Sequence, residues 1–346
     1  METLDAQTLR ERMNGHAGGR EPFLFAVDFE LGEGIIATEP FADRDLLFSV
    51  RGRGNGRGNG PGNVGPGLSP AAAAAGGRQS LLEADLMPFH DYLGKFMVVR
   101  RGLLRGDSFL VNLTVRTPIR VGLGLEDIFY LSDAPYSLCV PGRFCCFSPE
   151  TFVTIKGGVI ATHPMKGTID ASLPDAEGRI LSDFKESAEH ATIVDLLRND
   201  LGVEAERVSV TRYRYIDRLR TSEREILQVS SEIRGSLGEG WKARLGDLVF
   251  GMLPAGSCSG APKLSTLGII REAEGEPRGY YTGVFGLFDG EDLDSGVLIR
   301  FVEERDGSTY FRSGGGITAF SRPQDEYREV MEKIYLPFAG DPKKAR

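Results

Sequence analysis

The chain is poor in cysteine, with only Cys139, Cys145, Cys146 and Cys258 among 346 residues. None stands in a Cys-x-x-Cys pair, which excludes the usual spacing of a structural zinc site. So sparse a set reads as free thiols in a reducing cytoplasm. No apolar run is long enough to span a bilayer, and residues 1–20 are polar and charged, without the hydrophobic stretch of a secretory leader. A cytoplasmic protein with no membrane partner is therefore expected. Positive charge is also short. Lys and Arg number 41 against 49 Asp and Glu, a net charge of −8. That balance argues against a general nucleic-acid binder, whose affinity comes from neutralising phosphates. It leaves room for a local cationic pocket and a small anionic substrate. No internal repeat is present.

What remains is an ordinary globular composition, 41% hydrophobic and 26% charged, with length enough for one large domain or two ordinary ones. Phe23 to Phe29 reads as a strand, followed by Gly-Glu-Gly and a second apolar run. Arg51 to Gln79 then breaks the pattern with Arg-Gly and Asn-Gly repeats and a run of alanines. Glycine is costly to order and nothing here can build a core, so residues 51–79 read as a surface insertion. Arg-Gly repeats are also a feature of RNA-associating segments, which is the alternative for this stretch. Leu81 to Arg105 contains a helix, Ser108 to Arg116 a strand, and strands dominate to Pro164, with a hairpin turning at Gly157-Gly158. Helices are predicted over Leu181 to Asp200 and Gln324 to Leu336, with glycine-rich strands between them. Strands and helices that do not alternate regularly point to an α+β fold. The expected organisation is an N-terminal part, 1–105, a catalytic region, 106–338, and a tail, 339–346.

The two predicted helices carry acidic pairs at the same spacing, Glu186 with Glu189 and Glu326 with Glu329. Residues three apart share a helix face. Brought together, the two faces would set four carboxylates around one point, where a divalent cation is the natural neutraliser, and hard oxygen ligands suit Mg²⁺. Kept apart, they are ordinary solvated acidic faces.

Read together, a series of segments resembles the chorismate-utilising enzymes, a family that includes anthranilate, aminodeoxychorismate, isochorismate and salicylate synthases. The segments, in the family's order, include Gly106-Asp-Ser-Phe-Leu-Val-Asn-Leu-Thr114, Ser148-Pro-Glu-Thr-Phe152 and Pro164-Met-Lys-Gly-Thr168. They continue with Glu189-His-Ala-Thr-Ile-Val-Asp-Leu-Leu-Arg-Asn-Asp200, Gly256-Ser-Cys-Ser-Gly-Ala-Pro-Lys263, Arg278-Gly-Tyr-Tyr281, Leu298-Ile-Arg300 and Gly314-Gly-Gly-Ile317. The resemblance implies two large antiparallel sheets packed face to face with helices outside. It implies Mg²⁺ held by Glu189 and Glu329, with Glu186 and Glu326 beside it directly or through water, and the ring carboxylate of chorismate on the ion. Gly167, Thr168 and Lys333 would complete that carboxylate pocket, and Tyr281 and Arg300 would bind the enolpyruvyl carboxylate. Ser259, Lys263 and the backbone of Gly314, Gly315 and Gly316 would line the remaining wall.

Two positions bear on the chemistry. Glu150 matches the family's general acid, which protonates the departing C4 hydroxyl; a partly desolvated carboxyl can hold a proton near neutral pH. Lys166 stands where most members carry alanine, and lysine there is the aminodeoxychorismate synthase pattern. Its amine would attack C2 of the ring before ammonia adds at C4, which requires a neutral lysine and hence a lowered pKa. The alternative for Lys166 is a counter-charge to the substrate carboxylate. Leu110 occupies the position near which the water-adding members place a lysine base, and leucine cannot activate water.

Aminating members commonly carry glutamine near Leu110 and histidine where Gln228 aligns, so this chain departs from them at both points. The Leu-Leu-Glu-Ser segment that binds feedback tryptophan is not evident. Neither is a glutaminase Gly-x-Cys-x-Gly segment, so ammonia is expected from a separate glutamine amidotransferase subunit. The competing expectations are an anthranilate synthase large subunit, a catalytically silent partner, or an RNA-associating protein acting through the Arg-Gly stretch.

Overall fold

The computed structural model describes residues 1–56, 82–220 and 225–336. Strand Phe23–Val27 shows why the fold is a layered one, because all five of its residues are buried. Phe23, Phe25 and Val27 pack into one core with Leu9, Met13 and Ala17 of helix Ala6–Gly18. Leu24 and Ala26 pack into another with Phe48, Leu138 and Phe301. A strand apolar on both faces is one covered on both faces.

The covering layers are two large sheets, each antiparallel at every pairing. The first has ten strands and runs, edge to edge, from Glu2–Asp5 through Glu33–Ala37, Phe23–Val27, Val284–Phe288, Leu293–Val297, Thr151–Lys156 and Val159–Thr162 to Glu225–Ser236 and Met165–Asp170, with Glu206–Arg220 also paired to Glu225–Ser236. The second has nine. Near one edge the twelve-residue strand Leu110–Val121 pairs with Ser308–Ile317, placing Gly316 opposite Asn112 and Gly314 opposite Thr114. The sheets pack face to face over the Leu24–Phe285–Phe48–Tyr136 core. Outside the first lie the helices Ala6–Gly18, Phe184–Glu204 and Leu245–Gly251; outside the second lie Phe89–Arg105, Lys263–Glu274 and Pro323–Glu332. This is the predicted architecture of two face-to-face sheets with outer helices. Residues 1–56 feed strands into both sheets, so the N-terminal part is woven into the same body.

Several elements differ from the sequence reading. The predicted helix 181–200 is two helices, Ala176–Ser182 and Phe184–Glu204, divided at Asp183. The Asp183 carboxylate accepts the Glu186 amide at 2.9 Å, the N-cap arrangement that an Asp-x-x-Glu sequence favours. The last helix ends at Glu332 instead of Leu336. Leu336, fully buried, leaves the helix to join a cluster with Ile119 and Phe311, and Pro337 disfavours helical backbone before it. A short helix, Leu125–Leu131, interrupts the stretch where strands were expected to dominate, and helix Ala6–Gly18 was not expected.

The predicted insertion 51–79 begins too early. Arg53–Gly54 pairs with Leu47–Val50, and the Asn55 side chain bonds the Phe48 amide and the Asp43 and Leu46 carbonyls. Gly56 is pressed so close to Phe129 that a β-carbon there would meet the ring at 2.5 Å. The rest of that segment, and the tail 339–346, lie outside the described residues. Among the described residues no helix is long and apolar enough to cross a membrane. All four cysteines are free and buried.

Candidate active site

A cavity of about 930 Å³ opens where the ends of the two sheets meet the acidic helices. The first sheet contributes Glu150, Thr151 and the stretch His163–Lys166; the second contributes Leu110, Asn112, Gly315 and Gly316. Glu189 enters from helix Phe184–Glu204, and Glu329 and Lys333 from the C-terminal helix and its cap. Three exposed aromatic rings, Phe109, Phe184 and Phe320, rim the mouth.

The acidic pairs flank this one cavity. Lys166 Nζ lies 2.8 Å from Glu189 Oε2, and Lys333 Nζ lies 2.7 Å from Glu329 Oε1 and 2.8 Å from the Gly314 carbonyl. A β-carbon at Gly315 would stand 3.7 Å from Glu329 Oε1 and 3.9 Å from Glu326 Oε2, and one at Gly167 would stand 3.2 Å from Glu186 Oε2. Gly167 also has φ +88°, a backbone that only glycine adopts without strain. Bare backbone therefore faces carboxylate from both sides, a cradle that side chains would fill. The donors have the chemistry Mg²⁺ prefers. As they stand, no three metal-ligating side chains among the described residues converge on one point; Lys166 and Lys333 are the counter-charges between them.

The charge environment corrects one expectation. Burial pulls the Lys166 ammonium down, but Glu189, then Glu186 and Glu329, outweigh it and hold its pKa above the ordinary lysine range. Lys166 is thus protonated here, not neutral. Lys333 is the lysine pushed down, chiefly by burial, with Glu329 opposing and Arg300 and Lys166 assisting. The Glu150 carboxyl is shifted as well. Burial raises its carboxyl above the usual range, against the opposing pull of the Ser257 hydrogen bond, Arg300 and Lys333.

Other predicted residues stand off the cavity lining. Ser259 is fully buried and donates to the Ala255 carbonyl at 3.0 Å. Lys263 is tied to the Met252 carbonyl at 2.6 Å and to Asp200 at 3.0 Å. Tyr281 packs in the core between the sheets. Arg300 stacks over the Tyr335 ring, with Nε 3.3 Å from its hydroxyl, and reaches Glu150 and Lys333 only through its field. Thr168 is exposed on its strand, opposite Gln228. Leu110 does line the cavity.

Two features escaped the sequence reading. Ser257 Oγ donates to Glu150 Oε1 at 2.5 Å; in Gly256-Ser-Cys-Ser259, spacing alone does not say which serine faces the acid. Behind the wall lies Arg278, 1% exposed, with all five N–H donors used. Two reach the Glu274 carboxylate, at 2.9 and 2.7 Å. The others reach the Cys258 and Asn112 carbonyls at 2.7 Å each and the Thr282 hydroxyl at 3.2 Å. Glu274 Oε1 also accepts the Thr114 amide at 2.8 Å. This buried pair joins the strand bearing Asn112 to the turn bearing Ser257. Close approach recurs beside it: a β-carbon on Gly260, at φ +135°, would sit 1.9 Å from the Leu110 carbonyl.

The fold and the comparisons together place the chain among chorismate-utilising enzymes of the aminodeoxychorismate/anthranilate synthase type. The chain belongs to the family described as chorismate binding enzyme, whose model matches residues 67–338. It is 46% identical to an "Uncharacterized PabA-like protein" of Haemophilus influenzae, over 95% of this chain and 96% of that one. It is 32% identical to aminodeoxychorismate synthase component 1 of Bacillus subtilis, over 68% of this chain and 52% of that protein. Among solved structures it is similar to anthranilate synthase component I from Streptococcus pneumoniae, with TM-score 0.60 and 29% identity over 73% of this chain and 58% of that one.

Proposed function

We propose that this chain aminates chorismate at C4, giving 4-amino-4-deoxychorismate with Mg²⁺ bound, and takes its ammonia from a glutamine amidotransferase subunit. The observation that carries the reading is the placement of Lys166 and Glu150 on one cavity wall, an amine and a raised-pKa carboxyl facing the same space. The similarity to aminodeoxychorismate synthase component 1 supports it. Glu186, Glu189, Glu326 and Glu329 would hold the ion. When bound, it would anchor the ring carboxylate and neutralise the carboxylates that now keep the Lys166 proton in place.

With those carboxylates neutralised, the Lys166 ammonium gives up a proton to solvent; Glu150 donates its proton to the C4 hydroxyl, which leaves as water as the Lys166 amine bonds to C2 and the ring double bonds shift. Ammonia then bonds to C4, the double bonds shift back, and the C2–nitrogen bond breaks. The lysine departs with the proton that ammonia gives up, and Glu150 regains its own from solvent. Two displacements replace one difficult one. Leu110, near the position where the water-adding members place a lysine base, cannot itself activate water at C2, which favours the nitrogen nucleophile.

Incubation with chorismate, Mg²⁺ and ammonium tests this. The expected product is 4-amino-4-deoxychorismate without pyruvate, and a loss of about 10²-fold or more in Lys166→Ala. Anthranilate with pyruvate would assign the second reading, an anthranilate synthase. Full activity with the same product in Lys166→Ala would remove the covalent step.

A further inference from the structure

Glu150 is delivered to the cavity by a strand that begins irregularly. Where Thr151–Lys156 pairs with Leu293–Val297, Thr151 faces Gly296 and Thr154 faces Asp294, so three steps on one strand meet two on the other. This is a β-bulge, a device that re-aims side chains beside active sites. Side chains replace the ladder it interrupts. Ser295, fully buried, donates its hydroxyl to the Val153 carbonyl at 2.6 Å and accepts the Val153 amide at 3.2 Å. At the Glu150 end the replacement comes from the other sheet. Tyr136, fully buried, opens the second-sheet strand Tyr136–Val140 and donates its hydroxyl to Asp294 Oδ1 at 2.6 Å. With that proton used, the Thr151 hydroxyl, 3.0 Å away, donates to Tyr136. Arg51 closes the circuit: Nη2 donates to Thr151 Oγ1 at 3.0 Å, and Nε lies 3.0 Å from Asp294 Oδ2.

We infer that Tyr136 is a positioning residue for Glu150, its hydroxyl fixing Thr151 so that the preceding carboxyl stays aimed into the cavity. The inference rests on the amination reading above, in which Glu150 is the acid. Ring and hydroxyl have separate tasks. A β-carbon on Gly296 would stand 2.6 Å from the Tyr136 ring, so the ring lies flush on the residue paired with Thr151 and packs sheet against sheet. The hydroxyl circuit holds the strand end sideways, which packing alone does not. Thr151 lines the cavity beside Glu150, and Glu150 Oε1 must stay within 2.5 Å of Ser257. A shift of about 1 Å in a group that moves a proton can cost up to about 10²-fold in rate.

Tyr136→Phe keeps the ring and removes the hydroxyl. Steady-state rates are measured on the full chain, varying chorismate at saturating ammonium and Mg²⁺. The expected result is kcat down about tenfold, with the chorismate KM within about twofold of wild type. The same substitution in a Glu150→Gln background is expected to change kcat by less than about twofold, because a residue that acts through Glu150 has nothing left to position. Thr151→Val breaks the circuit from its other end, should Tyr136→Phe misfold, and is expected to match it; Thr151→Ser restores the hydroxyl and is expected to stay within about twofold of wild type. A folded Tyr136→Phe or Thr151→Val with wild-type kcat overturns the inference. So does a tenfold loss that recurs undiminished in the Glu150→Gln background, which would mark a structural role only. If the wild type forms no 4-amino-4-deoxychorismate, the amination reading falls and takes the inference with it; if the wild type forms it and the folded variants match, only the positioning falls.

Discussion

Replacing Arg278 with Met asks how much of the fold hangs on one buried ion pair. The substitution nearly preserves volume and removes five donors at once. It leaves the Glu274 carboxylate, 3% exposed, with the Thr114 amide as its remaining hydrogen-bond donor, and strips a donor from the Cys258 and Asn112 carbonyls. Removing one partner of a buried pair costs about 3–5 kcal/mol, because the other charge is stranded in a medium that cannot solvate it. Against a typical total of roughly 5–15 kcal/mol, that is a large share. The stranded charge, not the lost contacts, dominates the cost. Removing it as well, in Arg278→Met/Glu274→Gln, is therefore expected to restore about 2 kcal/mol or more, making the double variant more stable than the single. Urea unfolding followed by circular dichroism measures each step. A single variant within about 1 kcal/mol of wild type, or a double variant no better than the single, refutes the reasoning.

Glu150→Gln keeps the shape of the acid and removes its proton, so turnover is expected to fall by about 10²–10⁴-fold with chorismate affinity little changed. Because Glu150 acts protonated, kcat should fall as pH rises through its raised pKa; Ser257→Ala, which removes a bond favouring the ionised form, should move that limb to higher pH, and a shift downward would contradict the geometry. Asp28, 7% exposed, has its pKa pushed up to about 6, chiefly by burial and against bonds from the Gly32 and Glu33 amides. Its folded-state pKa exceeds the ordinary 3.8, so the native state binds the proton more tightly and loses stability as pH rises from about 4 to about 6, by up to about 3 kcal/mol. Both amides bond Oδ1, which Asn retains, so Asp28→Asn should be more stable than wild type in urea at pH 8 and equal to it at pH 4; a loss at pH 8 would show that the charge is stabilising.

Local pattern carried much of this molecule. Strand Phe23–Val27, the hairpin at Gly157-Gly158 and the acidic pairs on two helices are all written in short-range periodicity, because pleat and helix repeat set which side chains share a face. Ordered motifs marked Glu150, Lys166, Glu189, Glu329 and Lys333, and these do line one cavity. Boundaries were less legible. Asp183 divides a predicted helix through a cap, and Leu336 leaves another because a distant cluster buries it, a preference set by partners far along the chain.

The sequence by itself determined an α+β class through alternation and helix faces, and the resemblance carried by its ordered motifs implied the two-sheet architecture and the kinds of side chain at the cavity. Only the tertiary structure decided which of them meet. It turned Ser257 and not Ser259 toward Glu150, tied Lys263 to Asp200, and set Lys166 against Glu189, where the field of three carboxylates overrides burial. Charge and desolvation act through space, and the distances that govern them exist only once the sheets have closed on one another.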